Sequence, residues 1–280
     1  MSIPTLETTD FGGAPDAPVL ILGPSLGTSA VTLWAVAAQR LSTQFRTVGW
    51  DLPGHGHTRT AEPFTMADLA SAVLRLANDL SPHRRVHYAG DSVGGCVGLQ
   101  LMIDAGDRVA TAALLSTGAS IATPQGWHDR AEVVRVSGTE AMVDGSAQRW
   151  FGPGFTDREP TVANALFGAL RSTDAEGYAQ VCEALAAFDL TDRLGEITTP
   201  VLCIAGADDA PTPPESLHRI ASGVRDGRVV VLPGVGHLPP AEAPLEVADL
   251  IAGHAASDAD STVRIASEVV AADDVHRRTP

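Results

Sequence analysis

Arg85-Val-His-Tyr-Ala-Gly90-Asp91-Ser92-Val93-Gly94-Gly95-Cys96-Val97-Gly98 is the stretch on which the fold turns. Arg85 to Tyr88 reads as a short strand, and the small-residue run from Gly94 to Ile103 reads as a helix. Between them stands Gly90-Asp91-Ser92-Val93-Gly94, a G-x-S-x-G turn. A sharp strand-to-helix turn pushes the central hydroxyl outward, and glycines on either side let neighbouring backbone come close. In this setting Ser92 is read as a nucleophile rather than as an incidental serine in a glycine-rich turn.

Working outward, runs rich in β-branched residues recur at Pro18 to Leu22, Arg46 to Trp50, Val109 to Leu115, Val201 to Ile204 and Arg228 to Leu232. Helical patterns near Trp34 to Leu41, Met66 to Leu80, Pro214 to Ile220 and Leu245 to Gly253 separate them. Strands alternating with helices predict an α/β fold, a mostly parallel central sheet with helices on both faces. The alternation breaks over residues 123–194, which read as helical throughout and are expected to form a cap over the core built from residues 1–122 and 195–254. Residues 255–280 are small and acidic and read as a tail.

A serine hydroxyl needs a base to take its proton, and the base needs a carboxylate to orient it. Of the nine histidines, His237 in Pro233-Gly-Val-Gly-His237-Leu-Pro-Pro follows the last strand directly, which puts it at the carboxyl edge of the sheet beside Ser92. The loop after Val201 to Ile204 reads Gly206-Ala-Asp208-Asp209-Ala-Pro-Thr212. The G-x-x-D spacing selects Asp209 as the acid and leaves Asp208 to solvent. An oxyanion needs two backbone donors. Val93 is the first, and the loop Gly23-Pro24-Ser25-Leu26-Gly27-Thr28 offers the second, with Leu26 preferred over Ser25. Asp51-Leu-Pro-Gly-His55-Gly-His57 holds an H-x-H pair with no third convergent ligand, so it is read as a structural turn and no metal is expected.

The formal charge is −15 and the chain has no lysine, all 19 basic residues being arginine. Such a field repels nucleic acid and anionic membranes, so an acidic ligand must be held locally by arginine. Cys96, Cys182 and Cys203 are odd in number and widely spaced, which suggests neither disulfides nor a zinc site. With no apolar run long enough for a leader or a membrane span, the expected location is the cytoplasm.

These motifs, taken with those of residues 123–194, resemble the 3-oxoadipate enol-lactone hydrolases of the α/β-hydrolase superfamily. The likeness runs to about residue 253. It rests on Trp127-His-Asp-Arg130, Val134-Arg135, Gly138, Arg149-Trp150-Phe151, and Gly177-Tyr178 through Cys182 to Asp189-Leu190, together with Ser25-Leu26-Gly27-Thr28 and Asp209-Ala-Pro-Thr212. Two places depart from it: Pro53-Gly-His55-Gly stands for an Arg-Gly-His-Gly turn, and Gly234-Val-Gly236 precedes the base where alanines are usual. Some relatives carry a fused carboxymuconolactone decarboxylase domain, whose start the stretch Val263 to Arg278 faintly resembles.

The resemblance implies a serine hydrolase that opens an enol lactone to 3-oxoadipate in protocatechuate or catechol degradation, with no cofactor and a small-molecule partner; a homo-oligomer is compatible with it. A free carboxylate on such a substrate requires a cation. Arg130 and Arg149 are the leading candidates and Arg135 stands behind them, with Trp127, Trp150 and Phe151 as apolar walls. The competing readings are a carboxylesterase or other lactonase or thioesterase-like hydrolase with the same triad, and a hydrolase-fold binding protein without catalysis.

Overall fold

The computed structural model describes residues 3–256. The tail reading falls almost wholly on residues 257–280, outside the described residues. A seven-stranded sheet runs in the order β1-β3-β2-β4-β5-β6-β7. Its strands are β1 (Thr8–Gly12), β2 (Val19–Gly23), β3 (Arg46–Trp50), β4 (Val86–Asp91), β5 (Val109–Leu115), β6 (Val201–Gly206) and β7 (Gly227–Leu232). Every pair is parallel except β1 with β3. β2, β5 and β6 are buried at each residue. Burial without alternation means that both faces of the sheet are covered, as the near-continuous apolar runs required.

The sequence reading missed β1. Thr-Thr-Asp-Phe-Gly carries one large apolar residue, and its burial alternates between exposed and intermediate. An edge strand of this kind is stabilised by pairing with β3, which composition does not record. The parallel strands lie within a residue or three of the expected limits.

Helix α1 (Ala30–Leu41) starts four residues before its apolar pattern because Ser29 and Thr32 form a reciprocal cap, and Thr65 with Asp68 does the same for α2 (Met66–Leu80). α3 (Val93–Ala105) follows Ser92 directly, buried along most of its length and packed on β2, β4 and β5. Its low amphipathicity was a sign of burial on all sides.

Between β5 and β6 lie α4 (Pro124–Ser137), α5 (Val143–Ala147), α6 (Phe155–Arg158), α7 (Pro160–Ser172) and α8 (Ala175–Ala186), with no strand among them. α4 packs along α8 and α7 touches α1. α9 (Pro214–Gly223) covers β6 and β7, a single turn α10 (Pro239–Glu242) follows β7, and a further helix begins at residue 244.

The strand order places the site. β3 lies on one side of β2 and β4 on the other, so the chain reverses its direction of winding at β2, and Gly23 at the end of β2 pairs with Gly90 at the end of β4. The loops leaving these two strands diverge from one crevice, the position where open α/β sheets receive ligands.

The three cysteines are free and buried in this core. Burial pushes each thiol up to about 12, so almost no thiolate exists at pH 8. The native protein should fail to react with an aromatic disulfide reagent at pH 8 and should yield three equivalents in denaturant. Rapid native labelling would mean that the core around them opens readily.

Candidate active site

Ser92 sits where β4 ends and α3 begins, with φ 51° and ψ −113°. A non-glycine residue in this region is strained by roughly 1–3 kcal/mol and stays there only when its surroundings over-determine it. Here they do: the Ser92 amide donates to Leu115 O at 2.9 Å, and Thr117 Oγ1 donates to Ser92 O at 2.6 Å. A Cβ on Gly94 would lie 2.7 Å from Gly23 C and Pro24 O, so glycine lets α3 press against the β2 loop.

His237 Nε2 lies 3.0 Å from Ser92 Oγ, and His237 Nδ1 lies 3.0 and 3.1 Å from the two Asp209 oxygens. A carboxylate against Nδ1 holds the proton on that nitrogen, which leaves Nε2 as acceptor for the serine hydroxyl. Ser92, Asp209 and His237 are all buried. Asp208 instead is exposed, its amide donating to Val235 O.

Thr212, to which the sequence reading gave no role of its own, donates its amide to Asp209 Oδ1 at 2.9 Å and its hydroxyl to Oδ2 at 2.8 Å. Burial alone would raise Asp209. The neighbouring His237 and the hydrogen bonds from His237 and Thr212 outweigh it and hold the carboxyl below its ordinary value. Two nearby carboxyls behave differently. Burial, then repulsion from Asp209, keeps Asp91 well above the usual carboxylate range, and burial pushes Glu242 up to about 7.

Val93 opens α3, so its amide has no acceptor within the helix. In the β2 loop hydrogen bonds join Ser25 and Thr28, and the Gly94 amide donates to Pro24 O; among the described residues the Leu26 amide takes part in none of these. Both residues are buried, and Leu26 lines the cavity above Ser92.

That cavity has about 410 Å³ of empty space including its mouth, and its wall includes Ile121, Trp127, Arg130, Arg149, Trp150 and Tyr178. Trp127 is fixed by its indole N–H, which donates to Ile121 O at 2.6 Å. Trp150 stacks on Phe167. Phe151 is not part of this wall and packs instead between Phe155 and Phe167. Tyr178, on α8, went unrecognised as a lining residue because helical spacing marks it only as apolar.

The Arg130 guanidinium carbon lies 5.6 Å from the Trp127 ring and 5.9 Å from the Tyr178 ring. Among the described residues no carboxylate bonds Arg130 or Arg149, and partial burial, then repulsion from Arg130, lowers Arg149 from its ordinary value. Both also line an outer cavity with Gly126, Met142 and Gly145, so they stand between the inner cavity and solvent. Arg135 belongs elsewhere: it pairs with Glu176 at 2.7 Å and Glu183 at 2.6 Å.

The H-x-H turn divides its histidines. His55 is buried with Nδ1 on Pro53 O at 2.9 Å, His57 is exposed, and Asp51 bonds the amides of Ala30 and His57.

Residues 18–244 match the α/β hydrolase fold family. 3-Oxoadipate enol-lactonase 2 of Acinetobacter baylyi is 35% identical over 208 residues, 74% of this chain and 77% of that protein. Enol-lactonase 1 of the same organism is 33% identical, over 73% and 76%. The crystal structure of the enol-lactonase from Burkholderia xenovorans LB400 superposes with a TM-score of 0.84 at 32% identity, covering 89% of this chain and 95% of that one.

A depressed carboxyl stabilises the fold above its unfolded-state value, near 3.9, and the contribution is lost as pH falls through the lower folded value. The stability gap between wild type and Asp209→Asn, read from urea midpoints, should therefore be full at pH 6 and shrink below about pH 4. Asp208→Asn should show no such gap. A gap independent of pH would mean that Asp209 is not held as an anion.

Proposed function

The chain belongs to the α/β-hydrolase fold family and, within it, to the family of the 3-oxoadipate enol-lactonases, and we propose that it opens the ring of a small anionic enol lactone, 3-oxoadipate enol-lactone in aromatic-compound catabolism. The observation that carries this reading is the hydrogen-bonded Ser92–His237–Asp209 series facing a small aromatic-walled cavity that also holds two guanidiniums to which no carboxylate bonds among the described residues.

Ser92 Oγ attacks the lactone carbonyl while His237 Nε2 takes its proton, and Asp209 stabilises the imidazolium that results. Negative charge gathers on the former carbonyl oxygen, where the Leu26 and Val93 amides serve as donors. Collapse of the tetrahedral species breaks the ring C–O bond. The leaving oxygen departs as an enolate, protonated from His237, and the freed enol rearranges to a ketone. The chain remains joined to Ser92 as an ester. Water, deprotonated by the same histidine, then attacks that ester, and the serine leaves with its proton restored. An enolate is a far better leaving group than an ordinary alkoxide, so ring opening needs no metal to polarise the carbonyl.

Substrate choice follows from the two arginines. A planar guanidinium grips a carboxylate through two parallel hydrogen bonds, and in a protein of net charge −15 only a local cation can favour an anion. Trp127, Trp150 and Tyr178 supply flat apolar surface for a five-membered ring. The cavity's size favours a compact acyl group over a long chain.

Ser92→Ala should keep the fold and lose on the order of 10³-fold or more in turnover, together with covalent labelling by a fluorophosphonate. Near-normal turnover would remove Ser92 from the reaction.

Arg130→Met and Arg149→Met should each be assayed on the anionic enol lactone and on neutral phenyl acetate. The arginine that binds substrate should lower kcat/KM for the lactone about 10-fold or more, the size of one charged hydrogen-bonded contact, and spare the phenyl ester. If both variants leave the ratio of the two substrates unchanged, the substrate carries no recognised carboxylate and the enzyme is a different esterase.

A further inference from the structure

We propose that Glu242 is a positioning residue, its one carboxylate fastening the His237 loop and the segment Trp150–Gly152 together so that the base and a wall of the substrate cavity keep a common register. The inference rests on His237 and Ser92 acting as base and nucleophile.

Glu242 closes the single turn α10, five residues after His237. Its Oε1 accepts the amides of Gly236 at 2.9 Å and Leu238 at 3.4 Å, the two neighbours of the base. Its Oε2 accepts the amide of Gly152 at 2.7 Å. Gly152 comes from the segment between β5 and β6, two residues beyond Trp150 in the cavity wall. A second tie runs beside the first, the His237 amide donating to Trp150 O at 2.8 Å. The base is therefore held on both sides, at its neighbours Gly236 and Leu238 by Glu242 and at its own amide by Trp150.

Contact between the two segments is backbone on backbone. A Cβ on Gly236 would stand 2.6 Å from Phe151 C and 2.7 Å from Gly152 N, and one on Gly152 would collide with Gly234 O. No side chain fits between them, and the carboxylate beside them bonds both. Three converging N–H donors suit an anion, and they act against burial, which pushes the carboxyl up to about 7. None of the chemical steps above uses Glu242.

Glu242→Gln is the informative change. One carboxamide oxygen can still accept, but its NH2 meets an N–H on the other side, and one of the two fastenings opens. Three quantities should be measured on the full chain at pH 8: the rate of Ser92 labelling by a fluorophosphonate, kcat and KM for phenyl acetate, and the melting temperature. Labelling and kcat should fall about 10-fold or more, as expected for a lost hydrogen bond to a charged group, and KM should rise because Trp150 moves with its segment. Glu242→Asp, one methylene shorter, should reach only one of the two segments and fall in between; it carries the test if the glutamine variant does not fold.

A lower melting temperature with labelling rate and KM unchanged would reduce Glu242 to a stabilising contact and overturn the proposal. So would a change in kcat without a change in KM, since the two segments would then not be coupled. A wild-type protein that the probe does not label at all would overturn the nucleophile reading and this proposal with it.

Discussion

Everything at the site hangs on a serine held where serine does not rest. At φ 51° the Ser92 backbone costs free energy that the surrounding ladder must supply. Leu115 at the end of β5 and Thr117 two residues beyond it bond the Ser92 backbone, and α3 sits close on Gly23 and Pro24. The same geometry has three consequences. It projects the hydroxyl toward His237, starts a helix whose first amide has no internal acceptor, and brings the β2 loop beside that amide. A relaxed backbone at this one residue would undo all three.

The second constraint is electrostatic. Three carboxyls, Asp91, Asp209 and Glu242, crowd a buried region in a strongly acidic protein. They cannot all ionise cheaply, and the structure sorts them by what they accept. Asp209 has an imidazole and two donors from Thr212, and is held as an anion. Asp91 is held well above the usual carboxylate range by burial and then by repulsion from Asp209, which outweigh the Ser25 hydroxyl beside it. Glu242, with backbone donors alone, lies between them. A negative charge is thereby concentrated on the side of the histidine away from the serine. Across the cavity the arginines are sorted in the opposite sense. Arg135 and Arg171 are neutralised by surface glutamates, whereas Arg130 and Arg149 are left to the cavity.

Much of this was legible from residue order. Burial on both faces writes itself as continuous apolar runs, and the G-x-S-x-G turn, the late His237 and the G-x-x-D loop each follow a recognisable strand. A parallel sheet sends all such loops to one edge, so reading the strands was enough to expect Ser92, Asp209 and His237 near one another. The choice of Asp209 over Asp208 rested on a spacing, and its physical content is that only one of two adjacent side chains can point inward from a turn. β1 escaped because an edge strand is recorded in its partner's hydrogen bonds, and Phe151 was misplaced because adjacency to Trp150 says nothing about which way a ring faces.

Local chemistry thus determined the element types, the carboxyl-edge loops and the residues with reactive side chains, since periodicity, turn propensity and functional groups are properties of short segments. Tertiary structure decided which polar groups found partners. Arg135 meets Glu176 and Glu183, 41 and 48 residues away, while Arg130 meets the Trp127 and Tyr178 rings. Thr212 turns toward Asp209, and Glu242 reaches Gly152 across 90 residues. No sequence window spans the 41, 48 or 90 residues between the distant partners, and even for Thr212 and Asp209, three residues apart, the pairing depends on what the whole fold brings within about 3 Å, the range over which a hydrogen bond is made or lost.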